Sequence, residues 1–585
     1  MSERAALAEL AKRRGFFFPA VEAYGGVAGF YVYGPAGARL KANVEASWRE
    51  QFAVREGHAE IDAPTVLPEP VFAASGHLES FNDLLVACAE CGETHRADHL
   101  LEEAAGVHDA ETLEPEELAE QLAANGVTCP NCGAPLADQP VEAFNLMFET
   151  SIGPGDGAPG YLRPETAQGI FVEFPRLAEY ARGQLPFGVT QIGRAYRNEI
   201  SPRHALLRVR ELTQAELELF HDPADAGPDL APVADVPLRL YPADDQGDGE
   251  PAYRNLTVSE AVESDVVANP WIAYYLGRAR QWYERIGVDL DRFRFRQHLP
   301  GELAHYASEC WDAEAEIDGD WVELAGIATR GDYDLRKHDA HADDDFTVFR
   351  EYDEPRTVER ATVEPDMAVL GPAFGPNAPA VADALADLAE RDPAAFEADT
   401  VTVEADGEPV TVDVADANFA VETVVERGEH LVPHVVEPSF GVERAVFTVL
   451  AHSLREDEVD GEPRTVMRLP PAMAPTLVGV FPLMTRDGLG ERARSIAAEL
   501  RDAGLAVEYD DGGSIGRRYR RQDEVGTPYG VTVDYETLED DTVTVRDRDS
   551  AAQRRVPIEG LAEVVRALRD GERAFDSVGA AVADA

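Results

Sequence analysis

The stretch QIGRAYRNEISPRHALLRVRELTQAELELF, from Gln191 to Phe220, places many charged side chains on what its pattern predicts to be one β-hairpin. Arg197 and Glu199 are two residues apart and are expected to share one face of the first strand. Residues 200–204 are typical of a connecting loop, because Pro202 interrupts a strand. The return strand is predicted from Leu207, and its two-residue period puts five side chains on one face: Arg208, Arg210, Leu212, Gln214 and Glu216. Such a face can bind charged substrates, or it can carry solvated surface ion pairs.

Four of the five cysteines form two pairs, Cys88-x-x-Cys91 and Cys129-x-x-Cys132. Each pair can present two thiolates from one turn, which predicts a structural zinc site, with metal-free buried thiols as the alternative. The 37 residues between the pairs exceed the usual spacing, but the pattern over 100–125 predicts helix that can be looped out. Cys310 has no such partner and is expected to be a small core residue.

Two further charged residues stand in apolar surroundings. Glu323 interrupts the predicted strand 321–326, where a carboxylate needs either an arginine partner or a bound metal ion. The stretch from Val435 to Val446 predicts a strand, a glycine break and an apolar helix. Arg444 lies in the first turn of that helix, where the dipole disfavours a cation, so an anionic ligand is the more plausible partner.

The charge balance is strongly acidic, with 52 Lys and Arg against 110 Asp and Glu and a formal net charge of −58. Only three of the cations are lysines, Lys12, Lys41 and Lys337. This composition resembles proteins of salt-accumulating halophiles, in which salt screens self-repulsion, so it does not exclude a nucleic-acid partner. No apolar run approaches 18 residues, and the charged start lacks the pattern of a signal peptide, so we expect a cytoplasmic protein without membrane spans.

A chain of 585 residues is expected to form two to four domains. The four-residue spacing of Leu40, Val44, Trp48 and Phe52 predicts a helix that leads to a short strand around Pro64. The last hundred residues alternate strand and helix patterns, which predicts a separate α/β domain with a parallel or mixed sheet. Its basic stretch 516–521 favours an RNA-contacting surface over a merely solvated helix face.

The helix with its proline-containing strand, the RNE hairpin and the GVER strand and helix resemble the three motifs of class II aminoacyl-tRNA synthetases. The stretches RRGFFFPAVEAYGGVAGFYVYGP, RADHL, YLRPETAQGIF, RNEISPR and VEPSFG resemble the dimeric glycyl-tRNA synthetases of archaea and eukaryotes, over about residues 13–568. The resemblance implies an α/β (α+β) fold with an antiparallel-sheet catalytic core, a zinc-knuckle insertion and a C-terminal α/β anticodon-binding domain. We expect these segments: 1–85 core with the dimerisation motif, 86–140 zinc knuckle, 141–220 core with the hairpin, 221–300 acidic insertion, 301–354 core, 355–430 inserted α/β segment, 431–470 core, 475–573 anticodon-binding domain and 574–585 tail.

The resemblance further implies ATP-dependent activation of glycine, assisted by Mg²⁺, and transfer of the glycyl group to the 3′ end of glycine tRNA by a homodimer. Arg197, Glu199 and Arg444 are the implied catalytic residues, with Arg197 at the α-phosphate and Arg444 against adenine and the distal phosphates. The implied ATP-binding residues are Arg197, Asn198, Glu199, Leu207, Arg208, Val209, Arg210, Glu211, Leu212, Glu323, Leu324, Gly441, Val442, Glu443 and Arg444.

The implied glycine pocket excludes larger amino acids by crowding carboxylates around the ammonium group. Its implied residues are Arg96, Glu165, Leu212, Thr213, Gln214, Ala215, Glu216, Glu437, Pro438, Ser439, Phe440 and Gly441. Leu212 departs from the family pattern, because a phenylalanine usually stacks on adenine there. Two other hypotheses remain, a related ligase for another amino acid and a non-catalytic accessory protein that only binds nucleic acid.

Overall fold

The computed structural model describes residues 3–107, 110, 113–137, 139–155, 157–200, 202, 205–247, 251–304, 306–405, 407–459 and 461–582. Within the predicted hairpin loop, Ser201, Arg203 and His204 therefore lie outside the described residues. The chain forms two compact units, one comprising Met1–Phe346 and Pro433–Ala585 and the other comprising Thr347–Val432. None of the helices in the described part of the chain combines the length and hydropathy that a membrane crossing needs.

The first part of the larger unit alternates short strands and helices. Its helices are α1 Glu3–Arg14, α2 Pro35–Arg49, α3 Glu69–Ala74, α4 His77–Ser80, α5 Ala97–Ala105, α6 Pro115–Ala124, α7 Gln168–Phe171 and α8 Phe174–Tyr180. Its strands are β1 Phe17–Pro19, β2 Tyr31–Tyr33, β3 Ala59–Glu60, β4 Val66–Pro68, β5 Asn82–Ala87, β6 Thr94–Arg96, β7 Val141–Asn145, β8 Phe148–Ile152, β9 Ala158–Leu162 and β10 Phe187–Tyr196.

The middle of the chain supplies most of the central sheet. Its strands are β11 Glu211–His221, β12 Pro237–Tyr241, β13 Arg254–Thr257, β14 Phe293–Gln297, β15 Glu309–Ile317 and β16 Asp320–Gly331. Its helices are α9 Val258–Glu263, α10 Pro270–Ile286 and α11 Tyr333–Asp339. The smaller unit consists of β17 Val348–Val363, α12 Met367–Phe374, α13 Ala378–Arg391, β18 Thr400–Ala405, β19 Glu408–Asp413, α14 Val414–Ala417 and β20 Phe419–Leu431. In it, β17 pairs with β20 and β18 with β19, both antiparallel.

The larger unit resumes with β21 His434–Gly441, α15 Val442–Ser453, β22 Leu454–Val459 and β23 Glu462–Met467. Nine strands then form one sheet in the order β13-β12-β14-β15-β16-β21-β11-β10-β3. Within this sheet, β3 with β10 and β12 with β14 are parallel, and the other neighbours are antiparallel. The predicted antiparallel core is therefore confirmed.

The hairpin is present, but it is shorter than the sequence predicts. β10 and β11 pair from Phe187 with Phe220 to Tyr196 with Glu211. The prediction that Arg197 and Glu199 lie on the first strand is wrong, as is the start of the return strand at Leu207. The ladder closes where the Arg197 N–H donates to the Arg210 carbonyl at 3.0 Å, after which the chain turns away. The directions of the Arg197 and Glu199 side chains are therefore set by the turn and not by the two-residue period of a strand.

The segment beyond the hairpin, given from the sequence as an acidic insertion over 221–300, contains strands of the central sheet. Strands β12 and β14 pair with each other and extend the edge of the central sheet, with Leu238 and Leu240 buried. The sequence did not predict β12, because its alternating apolar residues lie within a run rich in Asp, Pro and Gly. Helix α10 lies in the same segment and begins where the Asn269 side chain accepts a hydrogen bond from the Trp271 N–H at 2.8 Å.

An aromatic cluster joins the long helices to the sheet. Phe52 continues the buried stripe of α2, and its ring lies 5.1 Å from Trp48 and 4.8 Å from Phe440 of β21. Trp282 of α10 packs edge-on against Phe440 at 5.3 Å. All four side chains are almost fully buried. The four-residue spacing in α2 therefore corresponds to a real buried stripe.

The C-terminal part forms a second sheet in the order β25-β24-β26-β27-β28-β29, and it is mixed, as predicted. Its elements are β24 Val478–Pro482, α16 Leu489–Asp502, β25 Val507–Tyr509, α17 Ile515–Val525, β26 Tyr529–Val533, α18 Tyr535–Asp540, β27 Thr542–Asp547, β28 Gln553–Pro557, α19 Leu561–Arg569 and β29 Ala580–Ala581. β29 pairs with β28, although the sequence predicts an unstructured tail there.

The basic stretch 516–521 on α17 is largely engaged within the protein. Arg518 is buried and donates to the carbonyls of Asp511 and Gly513 at 3.0 and 2.8 Å. Arg521 pairs with Asp510, and Arg520 with Glu462 at 3.0 Å. Arg518 is thus a structural residue, and contact of RNA with the rest of this stretch stays a prediction.

We expect Phe52→Ala to lower the free energy of unfolding by about 3–5 kcal/mol, because it opens a cavity in the aromatic cluster. Chemical denaturation in molar KCl measures the change. The matched control is Val54→Ala, two residues further along the helical segment Glu50–Val54 that follows α2, where the side chain is 70 % exposed. Its change should stay within about 0.5 kcal/mol, and equal losses in the two variants would contradict the assignment of the core.

Candidate active site

A cavity of about 220 Å³ opens on the face of the central sheet where β11, β16 and β21 meet. Strand register builds it, because Glu216 of β11 lies opposite Ser439 of β21, and Gly326 of β16 lies opposite Ser439 on the other side. Its lining residues are Glu165, Arg197, Glu199, Leu206, Leu207, Arg208, Val209, Leu212, Gln214, Glu216, Tyr306, Cys310, Glu323, Leu324, Ala325, Gly326, Ala328, Glu437, Ser439, Gly441, Glu443 and Arg444.

One end of the cavity is floored by buried carboxyl groups, with Glu216 at the centre. Its carboxylate accepts hydrogen bonds from Ser439 Oγ at 2.6 Å, from Gln214 Nε2 at 3.0 Å and from the Thr166 hydroxyl. Burial and the neighbouring Glu165 raise the pKa of Glu216, while the hydroxyl donors oppose them. These three donors therefore hold the Glu216 carboxylate in one orientation.

Glu437 completes this floor and is tied to a fully buried arginine. Arg330 NH1 donates to Glu437 at 2.7 Å, while its Nε and NH2 hold both oxygens of Asp334 at 2.7 and 2.9 Å. Burial raises the pKa of Glu437 to about 7, with Glu216 adding to the rise and Arg330 opposing it. A carboxyl group with this pKa changes its charge near neutral pH.

Glu165 closes the side of the acidic end. Its carboxylate accepts from Gln168 Nε2 at 3.0 Å and lies 3.6 Å from His77 Nε2 and 3.9 Å from Arg330. Burial alone would raise the pKa of Glu165, but His77, Arg330 and Gln168 together lower it. Glu165 therefore stays ionised, and a small cation in this end of the cavity would meet a fixed negative charge.

The other end of the cavity is lined by arginines. Arg197 Nε donates to the Pro164 carbonyl at 3.1 Å, and its guanidinium lies 5.6 Å from the ring of Phe81. Arg208 Nε donates to the Glu199 carboxylate at 2.5 Å. These contacts leave guanidinium N–H groups on both arginines that can bind an anion, as phosphate recognition requires.

Arg444 and Glu323 form an ion pair at 3.1 Å at this end. Arg444 is in the first turn of α15, as predicted, and it also donates to the Leu207 carbonyl at 3.2 Å. The Glu323 side chain is 50 % exposed, so it is not embedded in apolar surroundings as the sequence suggests. Its arginine partner lowers the pKa of Glu323. An exposed pair of this kind is worth little and can open for a ligand.

Several residues of the implied site do not line the cavity. These are Arg96, Asn198, Arg210, Glu211, Thr213, Ala215, Pro438, Phe440 and Val442. Arg96 is held by Asp98 and by Asp83 at 3.2 Å. Arg210 donates outward to the Glu199 and Ala28 carbonyls, both at 2.9 Å. Glu443 lines the cavity, but its carboxylate is bonded to the Thr213 N–H at 2.6 Å.

Sequence reasoning missed four residues that shape the cavity: Thr166, Tyr306, Cys310 and Arg330. Arg330 carries the clearest signal, because an arginine near the end of an apolar strand needs buried acidic partners. Tyr306 lies over the Arg330 guanidinium at 3.8 Å. Cys310 is buried, as expected, and it also lines the cavity.

The four paired cysteines meet in one cluster. Cys88 and Cys132 are 3.6 Å apart at sulfur, Cys91 and Cys129 are 3.7 Å apart, and His95 Nε2 lies 3.3 Å from Cys129 Sγ. All four sulfurs lie within 4.8 Å of one another. A tetrahedral site with Zn–S bonds of about 2.3 Å needs sulfurs about 3.8 Å apart. The donor set and its spacing therefore fit a zinc ion.

Two family descriptions match this chain. "tRNA synthetase class II core domain (G, H, P, S and T)" matches residues 157–236, which include the hairpin. "Anticodon binding domain" matches residues 477–568, which form most of the C-terminal sheet and its helices. The two matches agree with the fold class expected from the sequence.

Curated relatives match over nearly the whole chain. The glycine–tRNA ligase of Methanothrix thermoacetophila is 49 % identical, covering 98 % of this chain and 98 % of the relative. That of Methanothermobacter thermautotrophicus is 48 % identical, covering 96 % and 98 %. Among solved structures, prolyl-tRNA synthetase from Cryptosporidium parvum with halofuginone and AMPPNP has a TM-score of 0.50 and 12 % identity, covering 97 % of this chain and 75 % of that one. This last likeness concerns the fold alone.

We expect Arg330→Ala to lower the free energy of unfolding by about 3–5 kcal/mol, because it leaves Asp334 and Glu437 buried without their cation. Denaturation in molar KCl measures the loss. Arg336→Ala is the matched control, since Arg336 forms an exposed pair with Asp332 at the same four-residue spacing. The control should change stability by no more than about 0.5 kcal/mol, and a comparable loss there would argue against burial as the cause.

Proposed function

This chain belongs to the family of glycine–tRNA ligases, and we propose that its cavity joins glycine to the α-phosphate of ATP and then passes the glycyl group to tRNA. It is a class II aminoacyl-tRNA ligase, with a catalytic core and an anticodon-binding domain. We assign the site from one observation: the same cavity has a floor of carboxyl groups at one end and a lining of arginines at the other. Each end suits one substrate, because glycine brings an ammonium group and ATP brings phosphates.

At the acidic end, Glu165, Glu216 and Glu437 bind the ammonium group of glycine, and Ser439 helps to orient Glu216. Selection works by exclusion, because a substrate with an added methyl group must fit among groups that are already bonded to one another. The hydrogen bonds that Thr166, Gln214 and Ser439 donate to Glu216 support this role, since they keep the floor from adapting to a larger substrate.

At the other end, Arg197 binds the α-phosphate, and Arg208 and Arg444 neutralise the remaining phosphate charge. Adenylation needs no covalent protein nucleophile, only in-line positioning of the glycine carboxylate and stabilisation of negative charge. Glu199 orients Arg208 through their 2.5 Å contact. Leu212 and Leu324 give the adenine ring apolar surfaces, although a leucine lacks the aromatic stacking contribution of about 0.5–1.5 kcal/mol.

Mg²⁺ is expected for the class, and Glu323 is the residue that fits it best. Mg²⁺ in nucleotide sites usually binds one or two carboxylates together with phosphate oxygens. The exposed Glu323 carboxylate at the arginine-lined end supplies such a ligand once Arg444 releases it. When bound, the ion neutralises charge on the phosphates.

We assign a structural zinc ion to Cys88, Cys91, Cys129 and Cys132. The two turns are built alike, since the Cys88 N–H donates to the Glu93 carbonyl and the Cys129 N–H to the Ala134 carbonyl, both at 2.8 Å. His95 contacts Cys129 and stabilises its thiolate. The module would then be folded around the metal and not around disulfides.

The remaining assignments rest on the family resemblance and on composition. We infer a homodimer that charges glycine tRNA in the cytoplasm, where translation takes place. The net charge of −58 and the scarcity of lysine support a cell that accumulates salt. The activity is accordingly best assayed in molar KCl.

The test of the function is pyrophosphate exchange in molar KCl with purified protein. Exchange should depend on glycine, and alanine and serine should not replace it, because the acidic end excludes larger side chains. Arg197→Ala should lower exchange by about 10²–10³-fold, since it removes charge stabilisation at the α-phosphate. Its circular dichroism spectrum and melting temperature should match those of the unaltered protein.

An exchange that follows alanine or serine would overturn the assignment of glycine. Near-normal exchange in Arg197→Ala would refute the role of that residue while leaving the substrate intact. Arg336→Ala serves as the control for loss of an arginine away from the cavity.

For the zinc proposal, we expect Cys132→Ser to lose about one zinc ion per chain, because a structural site needs all four thiolates. Elemental analysis measures the metal, and thermal unfolding should show a lower melting temperature for the variant. Glu90→Gln is the control, since Glu90 is exposed between Cys88 and Cys91 and supplies no thiolate, and the metal content of this variant should be unchanged. Metal-free wild-type protein of full thermal stability would contradict the assignment.

A further inference from the structure

Beneath the acidic end of the cavity lies a carboxyl group that the proposed reaction does not use. Glu218 follows Glu216 by two residues on β11, so the two side chains share one face of the sheet. Glu218 is 0 % exposed. Neither of its carboxyl oxygens has a hydrogen-bond partner among the described residues. A buried carboxylate without donors is costly, so this group needs a physical account.

The charged groups that face Glu218 are mostly acidic. On its own strand lies Glu216 and on β21 lies Glu437, and oxygens of the three carboxyl groups lie within 4.8 Å of one another. From β16 and α11 come Arg330 and Asp334, but Arg330 already directs its N–H groups to Asp334 and Glu437.

Across β10, the register partner of Glu218 is Val189, which carries no charge. With all four acidic groups ionised, the single guanidinium would leave several negative charges buried together. Like charges at this separation disfavour a further ionisation, and a shared proton relieves the repulsion. A protonated carboxyl group is also a hydrogen-bond donor, which none of the ionised neighbours can be.

We propose that Glu218 is a positioning residue for glycine: a carboxylic acid that keeps its proton and offers it as a hydrogen-bond donor to the Glu437 carboxylate, an oxygen of which lies within 4.8 Å. The inference rests on the proposed glycine pocket and deepens it. Because Arg330 holds one oxygen of Glu437, a donor from Glu218 fixes the orientation of the carboxylate that receives the ammonium group. The proton on Glu218 also lowers the negative charge of the carboxyl groups at the acidic end, so that this charge matches a single ammonium group.

The electrostatics agree with this geometry. Burial, reinforced by the nearby Glu437, raises the pKa of Glu218 well above its usual range. The pKa of Glu437 is raised to about 7. As the pH falls below that value, Glu437 takes up a proton and the ammonium group loses a carboxylate. The KM for glycine should therefore rise toward acid pH.

Glycine-dependent pyrophosphate exchange from pH 6 to 9, with Glu218→Gln and Glu218→Leu, tests the role. Gln carries a donor and no charge, as the protonated acid does, so its KM for glycine should stay within about threefold of wild type. Leu has no donor, and its KM for glycine should rise about tenfold while the KM for ATP is unchanged. The acid rise in the KM of the Gln variant should begin at the same pH as in wild type, since no charge was removed.

Three results would overturn the proposal. Equal losses in the Gln and Leu variants would mean that an ionised Glu218 binds the ammonium group. A shift of the pH profile of Glu218→Gln to lower pH would mean that a negative charge had been removed. An unchanged KM for glycine in Glu218→Leu would make the residue a bystander. Should Glu218→Leu not fold, the pH profile of Glu218→Gln still decides between the protonated and ionised forms.

Glu216→Ala separates this inference from the proposed function. If wild-type exchange requires glycine and Glu216→Ala raises the KM for glycine, the pocket stands, and the Glu218 variants report on the positioning role alone. If exchange does not require glycine, or Glu216→Ala leaves its KM unchanged, the pocket itself is misassigned and the inference falls with it.

Discussion

The acidic end of the cavity depends on one buried guanidinium. Arg330 is almost fully enclosed and bonds to Asp334 on α11 and Glu437 on β21, with Glu165 at 3.9 Å. Without that cation, the carboxyl groups gathered there would have to be protonated or exposed, because isolated buried charges are costly. Arg330 therefore permits a dense group of acids inside the sheet, and its own place is secured by Tyr306 stacked over its plane.

The two ends of the cavity differ in how much they can move. At the acidic end the donors and acceptors are buried and bonded to one another, which suits a substrate that is recognised by the absence of a side chain. At the arginine-lined end, the ion pair of Arg444 and Glu323 is partly exposed, and it can exchange its partner for phosphate at little cost. The difference between the rigid acidic end and the exchangeable ion pair at the other end follows from how deeply each is buried.

Local sequence patterns predicted the helices and strands better than they predicted where individual side chains lie. The apolar stripe of α2, the helix α10 and the strands of the C-terminal sheet carry periodic signals that neighbouring residues suffice to define. Arg197 and Glu199 were misplaced because a strand ends where its backbone partner ends, and Arg210 lies some distance along the chain from that point. Arg518 shows the same limit, since its basic neighbours suggested a surface while three carbonyl oxygens hold it inside.

The sequence by itself determined the chemistry of this protein. Its motifs identified the family, the paired cysteines and most residues that line the cavity, because these depend on residue types at short spacing. Only the tertiary structure decided which carboxyl groups lie next to one another. Glu216, Glu218 and Glu437 meet through the register of β11 against β21. Register is set by packing across the whole sheet. The charge state and orientation of the carboxyl groups at the acidic end of the cavity are therefore properties of the assembled sheet, which no single stretch of the chain contains.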